Sequence, residues 1–251
     1  YEDTRINNWD IKLQTTIADS EIDYKDIPST FNEIIWKVKE TNENIIIATT
    51  RPELIGSCGM VIFNPKDKRY KHLDGKTAIS PIFNKEIPIK SHPLADIKKG
   101  SGIVMMCSAG DLSDIQFFRG MKLKPIISIN KEGTMNENAG KLKGLKIKEA
   151  REKILEILKS EGKLKNQTKI SHRTPISDRS GAEIEFIEMP EFYLKQVNYK
   201  KDIKKISKEL NWHPKSAKKI LDDWIDSISI DWPISRRRFY ATPIPLWHSE
   251  D

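Results

Sequence analysis

Two carboxylates three residues apart, Asp111 and Asp114, are the strongest candidates for chemistry in this sequence. The stretch Ser113–Arg119 begins with hydroxyl and acidic side chains, which predicts a helix that starts just after Asp111. At a helix start this spacing directs both carboxylates to one face, and the helix dipole favours their ionised form. Such a pair could hold an ammonium group, fix a hydroxyl or orient a water molecule. The motif alone favours a simpler interpretation, in which an aspartate caps the helix and binds no ligand.

A second group of candidates follows the apolar stretch Ile45–Ala48. It combines two hydroxyls, a guanidinium and a carboxylate: Thr49, Thr50, Arg51 and Glu53. At the end of a strand, such a cluster can bind a phosphate or the edge of a ribose. Alternatively, the threonines only end the strand and Pro52 stops it. The residues do not decide between these two interpretations.

Three consecutive arginines beside aromatic residues form the third candidate motif. They are Arg236, Arg237 and Arg238, followed by Phe239 and Tyr240. Arginines next to aromatic rings suit contacts with phosphates and bases. They could equally tie a loop to acidic residues of a larger protein. The five histidines show no paired ligand spacing, and the sequence contains neither a GxSxG motif nor a phosphate loop, so we expect no catalytic metal.

The composition describes a basic globular protein. The 251 residues are 37% hydrophobic and 31% charged. A net charge of +7 and a pI of about 9.2 favour a polyanionic partner such as nucleic acid, although lysine-rich surfaces are often only solvated. No apolar run approaches the ~20 residues of a membrane span, so we expect no membrane partner. Tyr1–Asp10 lacks the apolar segment of a signal peptide.

The cysteines and the first residue give two further expectations. Cys58 and Cys107 form no CxxC pair, which argues against a thiolate zinc site and a disulfide framework and favours a cytoplasmic location. Because the sequence starts with Tyr1 and not with Met, we expect it to be a piece of a longer protein.

Three sections differ in pattern: residues 1–24 are polar, 25–168 mix short β-like runs with turns, and 169–251 contain helical patterns. In the middle section, β-branched content and bounding turn residues predict the strands of a barrel-like β domain. These strands are Phe31–Val38, Ile45–Thr49, Gly59–Phe63, Thr77–Ile79, Glu86–Ile89, Ile103–Cys107 and Pro125–Ile129. Apolar residues at helical spacing predict helices at Lys146–Glu161, Asp202–Leu210 and Lys215–Ile228, the first ending at Gly162.

The motifs follow one another in an order that resembles a known family, the class I valyl-, isoleucyl- and leucyl-tRNA synthetases. The order runs from Thr49–Glu53 to Gly110–Asp114 and resembles their editing insertion. Between these ends lie Asn64-Pro65, Arg69-Tyr70, Glu86-Ile87-Pro88-Ile89 and Gly100-Ser101-Gly102. The flanks resemble the segments that enter the insertion and return to the catalytic nucleotide-binding fold: Asn8-Trp9-Asp10, Leu13-Gln14-Thr15, Trp232–Arg237 and Pro243–Trp247.

Within this family, the archaeal branch of the valyl type is the most similar. Val104–Cys107 and Glu188–Tyr193 resemble that branch, whereas many other relatives carry a histidine in place of Gly110. Relatives also often carry cysteines around residues 172–186, where they form a small zinc turn. Ser171 and Ser177 stand in that region here, so the resemblance gives little support for bound zinc.

The resemblance implies an α/β fold: a mixed, β-barrel-like editing domain with peripheral helices at 25–168. Residues 1–24 and 169–251 would be flanking, partial segments of the nucleotide-binding fold. The implied reaction is post-transfer editing, the hydrolysis of the ester that joins threonine to the tRNA for valine. The alternatives are leucyl or isoleucyl specificity, and a tRNA-binding module without catalysis.

The resemblance also implies roles for the candidate residues. Asp114 would anchor the α-ammonium group, and Asp111 would contact the threonine hydroxyl or position the attacking water. The terminal adenosine and its phosphate would be held by Thr49, Thr50 and Arg51, supported by Glu53. Lys99 and Cys107 would line the pocket.

Partners and cofactors follow from the same resemblance. The partners would be the 3′ end of mischarged tRNA and the remainder of the synthetase, and we expect the chain itself to be a monomer. HIGH-type and KMSKS-type signatures are absent from the sequence, so this segment should not charge tRNA. ATP and Mg²⁺ would serve the full-length synthetase, and no cofactor is expected here.

Overall fold

A computed structural model describes residues 1–228, 231–237, 242–247 and 249. The chain forms two compact units, Ile6–Glu188 and a smaller one of Tyr1–Arg5 with Met189–Asp251. The predicted domains at residues 1–24, 25–168 and 169–251 have other boundaries than these two units, and they remain a prediction. Arg238, Phe239 and Tyr240 of the predicted arginine motif lie outside the described residues.

The described residues contain eleven strands and four α-helices. The strands are β1 Glu2–Asp10, β2 Thr15–Thr16, β3 Ile22–Val38, β4 Asn44–Thr49, β5 Cys58–Phe63, β6 Thr77–Ile79, β7 Glu86–Ser91, β8 Ile103–Cys107, β9 Leu164–Ser177, β10 Ile184–Leu194 and β11 Trp232–Pro233. The helices are α1 Leu112–Gly120, α2 Ile147–Ser160, α3 Lys200–Glu209 and α4 Ala217–Ser227. None of these helices is long and apolar enough to cross a membrane.

A mixed sheet dominates the larger unit. Its strands follow the order β4-β3-β6-β7-β5-β8, with β9 paired to β3. β5 and β7 run parallel, while the other pairs are antiparallel. β4 and β8 stand at opposite ends of this order and nevertheless contact each other, so the sheet curls into a half-barrel. The prediction of a mixed, barrel-like fold with peripheral helices is confirmed.

Helix α1 is fixed to the sheet by an apolar cluster. Phe117 and Phe118 pack with Met60 and Ile62 of β5 and Met106 of β8, and all five are nearly inaccessible to solvent. Burial of the two phenylalanines contributes roughly 3–6 kcal/mol before the entropic cost of ordering them. The start of α1, and with it the carboxylate pair, is thereby held beside the end of β8.

Most predicted elements of the larger unit are confirmed. α1 begins just after Asp111, and α2 lies within the predicted Lys146–Glu161. Gly162 follows α2 with φ of 65°, and its N–H donates to the carbonyl of Lys159. Five of the seven strands occur at or near their predicted limits, and the sixth, Phe31–Val38, forms the second half of the longer strand β3.

The strand predicted at Pro125–Ile129 is wrong. Side chains satisfy its backbone instead of a neighbouring strand: Ile126 N–H donates to Ser108 Oγ at 2.6 Å. The carbonyl of Ile127 accepts from the side-chain amides of Asn136 and Asn138 at 2.9 and 2.6 Å. Only Ile129 forms an isolated bridge there, with Met135.

The smaller unit contains α3 and α4, which pack on each other and confirm the helices predicted at Asp202–Leu210 and Lys215–Ile228. β10 and β11 pair through Tyr193 with Pro233 and Leu194 with Trp232. Arg236 Nη1 donates to the carbonyls of Pro233 and Ser235 at 2.7 and 2.8 Å. Arg237 pairs with Glu191. The pair of Arg237 with Glu191 agrees with the interpretation in which these arginines tie a loop to acidic residues, here to a residue of the same chain.

Candidate functional site

The closure of the half-barrel brings two of the predicted motifs together. Thr49 ends β4, and Cys107 ends β8. Beyond these ends, the guanidinium of Arg51 donates through Nη1 to the carbonyl of Gly110 at 3.2 Å. Residues about sixty positions apart in the sequence therefore form one cluster.

Asp111 is the N-cap of α1. Its backbone is extended, with φ of −157°, and its Oδ1 accepts from the N–H of Asp114 at 2.8 Å. Ser113 Oγ donates to the same oxygen at 2.6 Å. The prediction that an aspartate caps this helix is confirmed. Because Asp111 is exposed, its carboxylate can still meet a ligand from solution.

Asp114 lies on the first turn of α1 and is partly buried. Its side chain folds back over Gly110, so that a Cβ added at position 110 would lie 2.2 Å from Oδ2 of Asp114 and 3.5 Å from Cβ of Cys107. The carboxylate thus lies beside the end of β8, next to the residue that leads into the turn. A side chain at position 110 would compete for this space.

Burial and the charge of Asp111 raise the pKa of Asp114 well above its usual value. The backbone N–H of Cys107 and the charges of Arg51 and Lys99 act in the opposite direction but do not cancel this effect. The helix start favours the ionised form of Asp114, but loss of hydration outweighs this effect and makes the carboxyl easier to protonate than an ordinary aspartate.

Lys99 is exposed on the loop between β7 and β8. It lies near enough to lower the pKa of Asp114, but within the described residues the two form no ion pair. The loop is anchored by Asn64 Nδ2, which donates to the carbonyl of Ala95 at 2.7 Å, and by Tyr70 OH, which donates to that of Ser101 at 2.8 Å. Asn64 and Tyr70 come from motifs that the resemblance matched without a role, and they position this loop.

Arg51 is engaged inside the protein through three nitrogens. Besides the contact of Nη1 with Gly110, Nε donates to Glu53 at 3.2 Å and Nη2 donates to Glu185 at 2.7 Å. Glu53 is fully buried and also receives Nε and Nη2 of Arg151 at 3.0 and 2.8 Å. Two arginines and two glutamates thus form a neutral, largely buried network.

The charges in this network stabilise one another. Burial alone would lower the pKa of Arg51, but the charges of Glu185 and Glu53 outweigh it and raise the pKa. Burial raises the pKa of Glu185, and Arg51 limits that rise. Removal of one partner would leave an uncompensated buried charge.

The two threonines lie at the mouth of this cluster and are partly buried. Thr49 Oγ1 accepts from the N–H of Arg51 at 3.0 Å, which shapes the turn after β4. The carbonyl of Thr49 accepts from Asn32 Nδ2 at 3.1 Å.

Cys107 is fully buried and lies directly opposite Cys58 in the pairing of β5 with β8. Its Sγ donates to the carbonyl of Leu54 at 3.4 Å. A hydrogen bond with Cys58 and burial raise the pKa of the Cys107 thiol. Both cysteines are free thiols, and Cys107 lies next to Gly110 and the Asp114 carboxylate.

The sequence model of the family described as class I tRNA synthetases for isoleucine, leucine, methionine and valine matches residues 1–251. The chain belongs to the class I tRNA synthetases. A valine–tRNA ligase of Nanoarchaeum equitans is 47% identical over 248 residues, which cover 99% of this chain and 33% of that protein.

Further class I relatives show similar identity. A valine–tRNA ligase of Aeropyrum pernix is 40% identical over 250 residues, which cover 100% of this chain and 30% of the relative. One of Rickettsia conorii is 42% identical over 243 residues, which cover 96% of this chain and 30% of the relative. This class I chain therefore spans about a third of the length of the curated relatives it matches.

Two residues of this buried cluster, Arg151 and Glu185, were not among the predicted site residues. Glu185 stands in the apolar run Ile184–Ile187, where a lone charge inside a strand signals a buried partner. Arg151 follows the buried Ala150 on α2 and could not be assigned to Glu53 without the fold. In the described part of the chain, no group of three His, Cys, Asp or Glu residues could hold a metal, including residues 172–186.

Proposed function

We propose that this chain hydrolyses the ester that joins threonine to the 3′ end of the tRNA for valine, as the editing region of a larger, valyl-type class I synthetase. An apolar pocket shaped for valine rejects threonine only weakly, because the two side chains have nearly the same shape. Discrimination between these two amino acids is the standard example of this limit. A second site with polar groups can recognise the hydroxyl instead.

The observation that carries the proposal is the carboxylate of Asp114. It is partly buried beside another carboxylate, has a raised pKa and forms no ion pair among the described residues. A group in this position gains stability when a cation is brought to it. The α-ammonium group of an aminoacyl ester is such a cation, and it lies two bonds from the ester carbon that must be attacked.

Asp111 supplies the second polar group of the proposed site. Its Oδ1 is occupied by the helix cap, while Oδ2 has no hydrogen-bond partner among the described residues. In the proposal, Oδ2 accepts from the threonine hydroxyl or from the attacking water. Valine lacks that hydroxyl, so the site favours the threonyl ester by one hydrogen bond to a charged acceptor.

Thr49 and Thr50 are proposed to hold the terminal adenosine. They lie at and just after the end of β4, next to Arg51, which contacts Gly110 just before the start of α1. Thr50 Oγ1 makes no hydrogen bond within the described residues and is available to a ribose or phosphate oxygen. Lys99, exposed on the neighbouring loop, adds a positive charge that suits the phosphate.

The proposed chemistry needs only an oriented water. Aminoacyl esters are activated, so a positioned water and electrostatic stabilisation suffice, with assistance from a ribose hydroxyl of the tRNA. Cys107 is a poor candidate for a covalent nucleophile, because its thiol is buried and its pKa is raised.

The remainder of the synthetase would supply most of the surface that binds tRNA. The two free cysteines suit a reducing compartment, so we propose that the protein acts in the cytoplasm. The residues of this chain do not fit an ATP site of the family, since the HIGH-type and KMSKS-type signatures are absent from its sequence. We therefore propose no charging activity for it, and we propose that it is a monomer.

Parallel deacylation assays test the function. Threonyl-tRNA for valine, valyl-tRNA for isoleucine and isoleucyl-tRNA for leucine are incubated with the protein and with buffer alone. We expect release of threonine at least about tenfold faster than release of either other amino acid. A preference for one of the other esters would assign isoleucyl or leucyl specificity. No hydrolysis above buffer, together with retained tRNA binding, would favour a binding module.

A further inference from the structure

Glu185 is buried on β10, and its side chain is only 6% exposed. Its Oε2 accepts from Nη2 of Arg51 at 2.7 Å, and Arg51 is the only ion-pair partner of Glu185 in the described part of the chain. Arg51 in turn donates to the carbonyl of Gly110 at 3.2 Å. A continuous chain of contacts therefore leads from β10 to the residue just before Asp111.

The planar guanidinium group of Arg51 fixes the directions of these hydrogen bonds relative to one another. An arginine presents its donors in a rigid fork, so fixing Nε and Nη2 also fixes the direction of Nη1. Glu53 holds Nε, Glu185 holds Nη2, and Nη1 then points at Gly110. Glu53 is itself held by Arg151 of α2, so the fork is braced from two sides.

The Gly110 carbonyl belongs to the peptide group that leads directly into the helix cap. Its orientation affects the backbone of Asp111, and Asp111 caps the turn that carries Asp114. Gly110 also lies directly beneath the Asp114 carboxylate. A shift of this peptide therefore moves both carboxylates of the proposed site.

We propose that Glu185 is a positioning residue, which acts through Arg51 to hold the Gly110–Asp114 segment in its hydrolytic geometry. In this role Arg51 orients the site from inside, and each of its three nitrogens already donates a hydrogen bond within the protein. The proposal rests on the proposed editing function. It adds a residue from β10 that contacts neither substrate nor water.

The first test compares Glu185→Ala, Glu185→Gln and the matched control Glu188→Gln, an exposed glutamate of the same strand. In threonyl-ester hydrolysis, Glu185→Ala is expected to lower kcat at least about tenfold with KM changed less than about twofold, since misplacement affects chemistry more than binding. Glu185→Gln keeps an oxygen for Nη2 and is expected to recover most of kcat. The control is expected to match the unmodified protein.

A second measurement tests the proposal where a Glu185 variant folds poorly or where the unmodified protein shows no hydrolysis. Amide hydrogen exchange is followed in residues 108–114 and, as an internal reference, in α2. We expect Glu185→Ala, where it folds, to exchange faster than the unmodified protein in 108–114 and at the same rate in α2. Glu185→Gln is expected to show a smaller increase in 108–114 and no change in α2. This readout separates failure of the positioning role from failure of the proposed function.

The outcomes that would overturn the proposal are specific. Unchanged kcat and unchanged exchange in 108–114 for folded Glu185→Ala, or unchanged exchange there for Glu185→Gln where the alanine variant does not fold, would remove the positioning role. Faster exchange throughout α2 as well would make Glu185 a general stabilising residue instead. Loss of kcat in the Glu188→Gln control would show that charge on this strand, and not the contact with Arg51, is responsible.

Discussion

The carboxylate of Asp114 occupies the space that a side chain at position 110 would need: a Cβ there would lie 2.2 Å from Oδ2 of Asp114. Gly110 is therefore part of the site because its lack of a side chain leaves room for the Asp114 carboxylate. Its φ lies outside the left-handed region, so this requirement is one of space and not of backbone conformation.

Gly110→Ala is expected to displace Asp114 and to lower threonyl-ester hydrolysis at least about tenfold. The crowding is also expected to reduce the free energy of unfolding by about 1–3 kcal/mol. The matched control is Gly120→Ala at the other end of α1, where no atom lies near the added Cβ. That control is expected to leave the rate unchanged and to alter stability by less than about 1 kcal/mol. Equal rates for the two variants would contradict the steric relationship.

Asp114→Asn removes the charge proposed to hold the substrate ammonium and keeps the shape of the side chain. Loss of one partner of a buried charge pair costs about 2–5 kcal/mol, so we expect kcat/KM to fall roughly 30-fold to several-thousand-fold. Affinity for uncharged tRNA is expected to change little. Asp202→Asn is the control, because Asp202 has the same position in the first turn of α3 and is exposed. Full activity of Asp114→Asn would remove the central role of this carboxylate.

The raised pKa of Asp114 predicts that the rate of threonyl-ester hydrolysis decreases at low pH, which gives the pH–rate profile an acid limb. In the free protein, kcat/KM is expected to fall as pH drops through a value above the ordinary range of an aspartate, because the protonated form cannot pair with an ammonium group. Bound ammonium stabilises the carboxylate, so the limb of kcat is expected at lower pH than that of kcat/KM. Coincidence of both limbs at the ordinary aspartate pKa would contradict this assignment.

The same shift has an opposite consequence for stability. The folded pKa lies above the unfolded value, so the folded state binds more protons between the two values and stability falls as pH rises through this window. Asp114→Asn is therefore expected to raise Tm at about pH 7, by a free energy on the order of 1 kcal/mol, and to have little effect at about pH 3. Calorimetry at both pH values checks the sign. A lower Tm of the variant at pH 7 would contradict it.

The buried network predicts that Glu53 matters far more to folding than an exposed glutamate does. Glu53→Ala would leave Arg51 and Arg151 without their shared partner, and we expect it to cost about 3–5 kcal/mol in the free energy of unfolding. Glu156→Ala removes an exposed pair with Lys153 on α2 and is expected to cost less than about 0.5 kcal/mol. Denaturant unfolding of both variants measures the difference. Similar costs would mean that the network contributes no more than a surface pair.

The sequence predicted the sheet strands well where β-branched residues were concentrated. It failed for β9, whose residues Lys165–Lys169 are polar and exposed, because pairing with β3 and not side-chain burial defines that strand. For the same reason β3 begins at Ile22, nine residues before its predicted start. Strands formed by long-range pairing leave little local signal.

The local motifs of the site could be predicted from the sequence, but the long-range contacts between them could not. The spacing of Asp111 and Asp114 predicted a shared helix start, and the structure has it. The raised pKa of Asp114 depends on how deeply α1 is packed against the sheet, which its own residues do not encode. Likewise, nothing local to Arg51 identifies Glu185, 134 residues away, as its partner.

The contact between β4 and β8 also determines when the site comes into existence. The two strands stand at opposite ends of the sheet order, so the contact of Arg51 with Gly110 depends on the curl of the whole sheet. Contacts of this kind form late, because the entropy of closing long loops must be overcome first. A partly folded chain would therefore carry all of these residues without the assembled site, so that the proposed hydrolysis is expected to appear during refolding only with barrel closure.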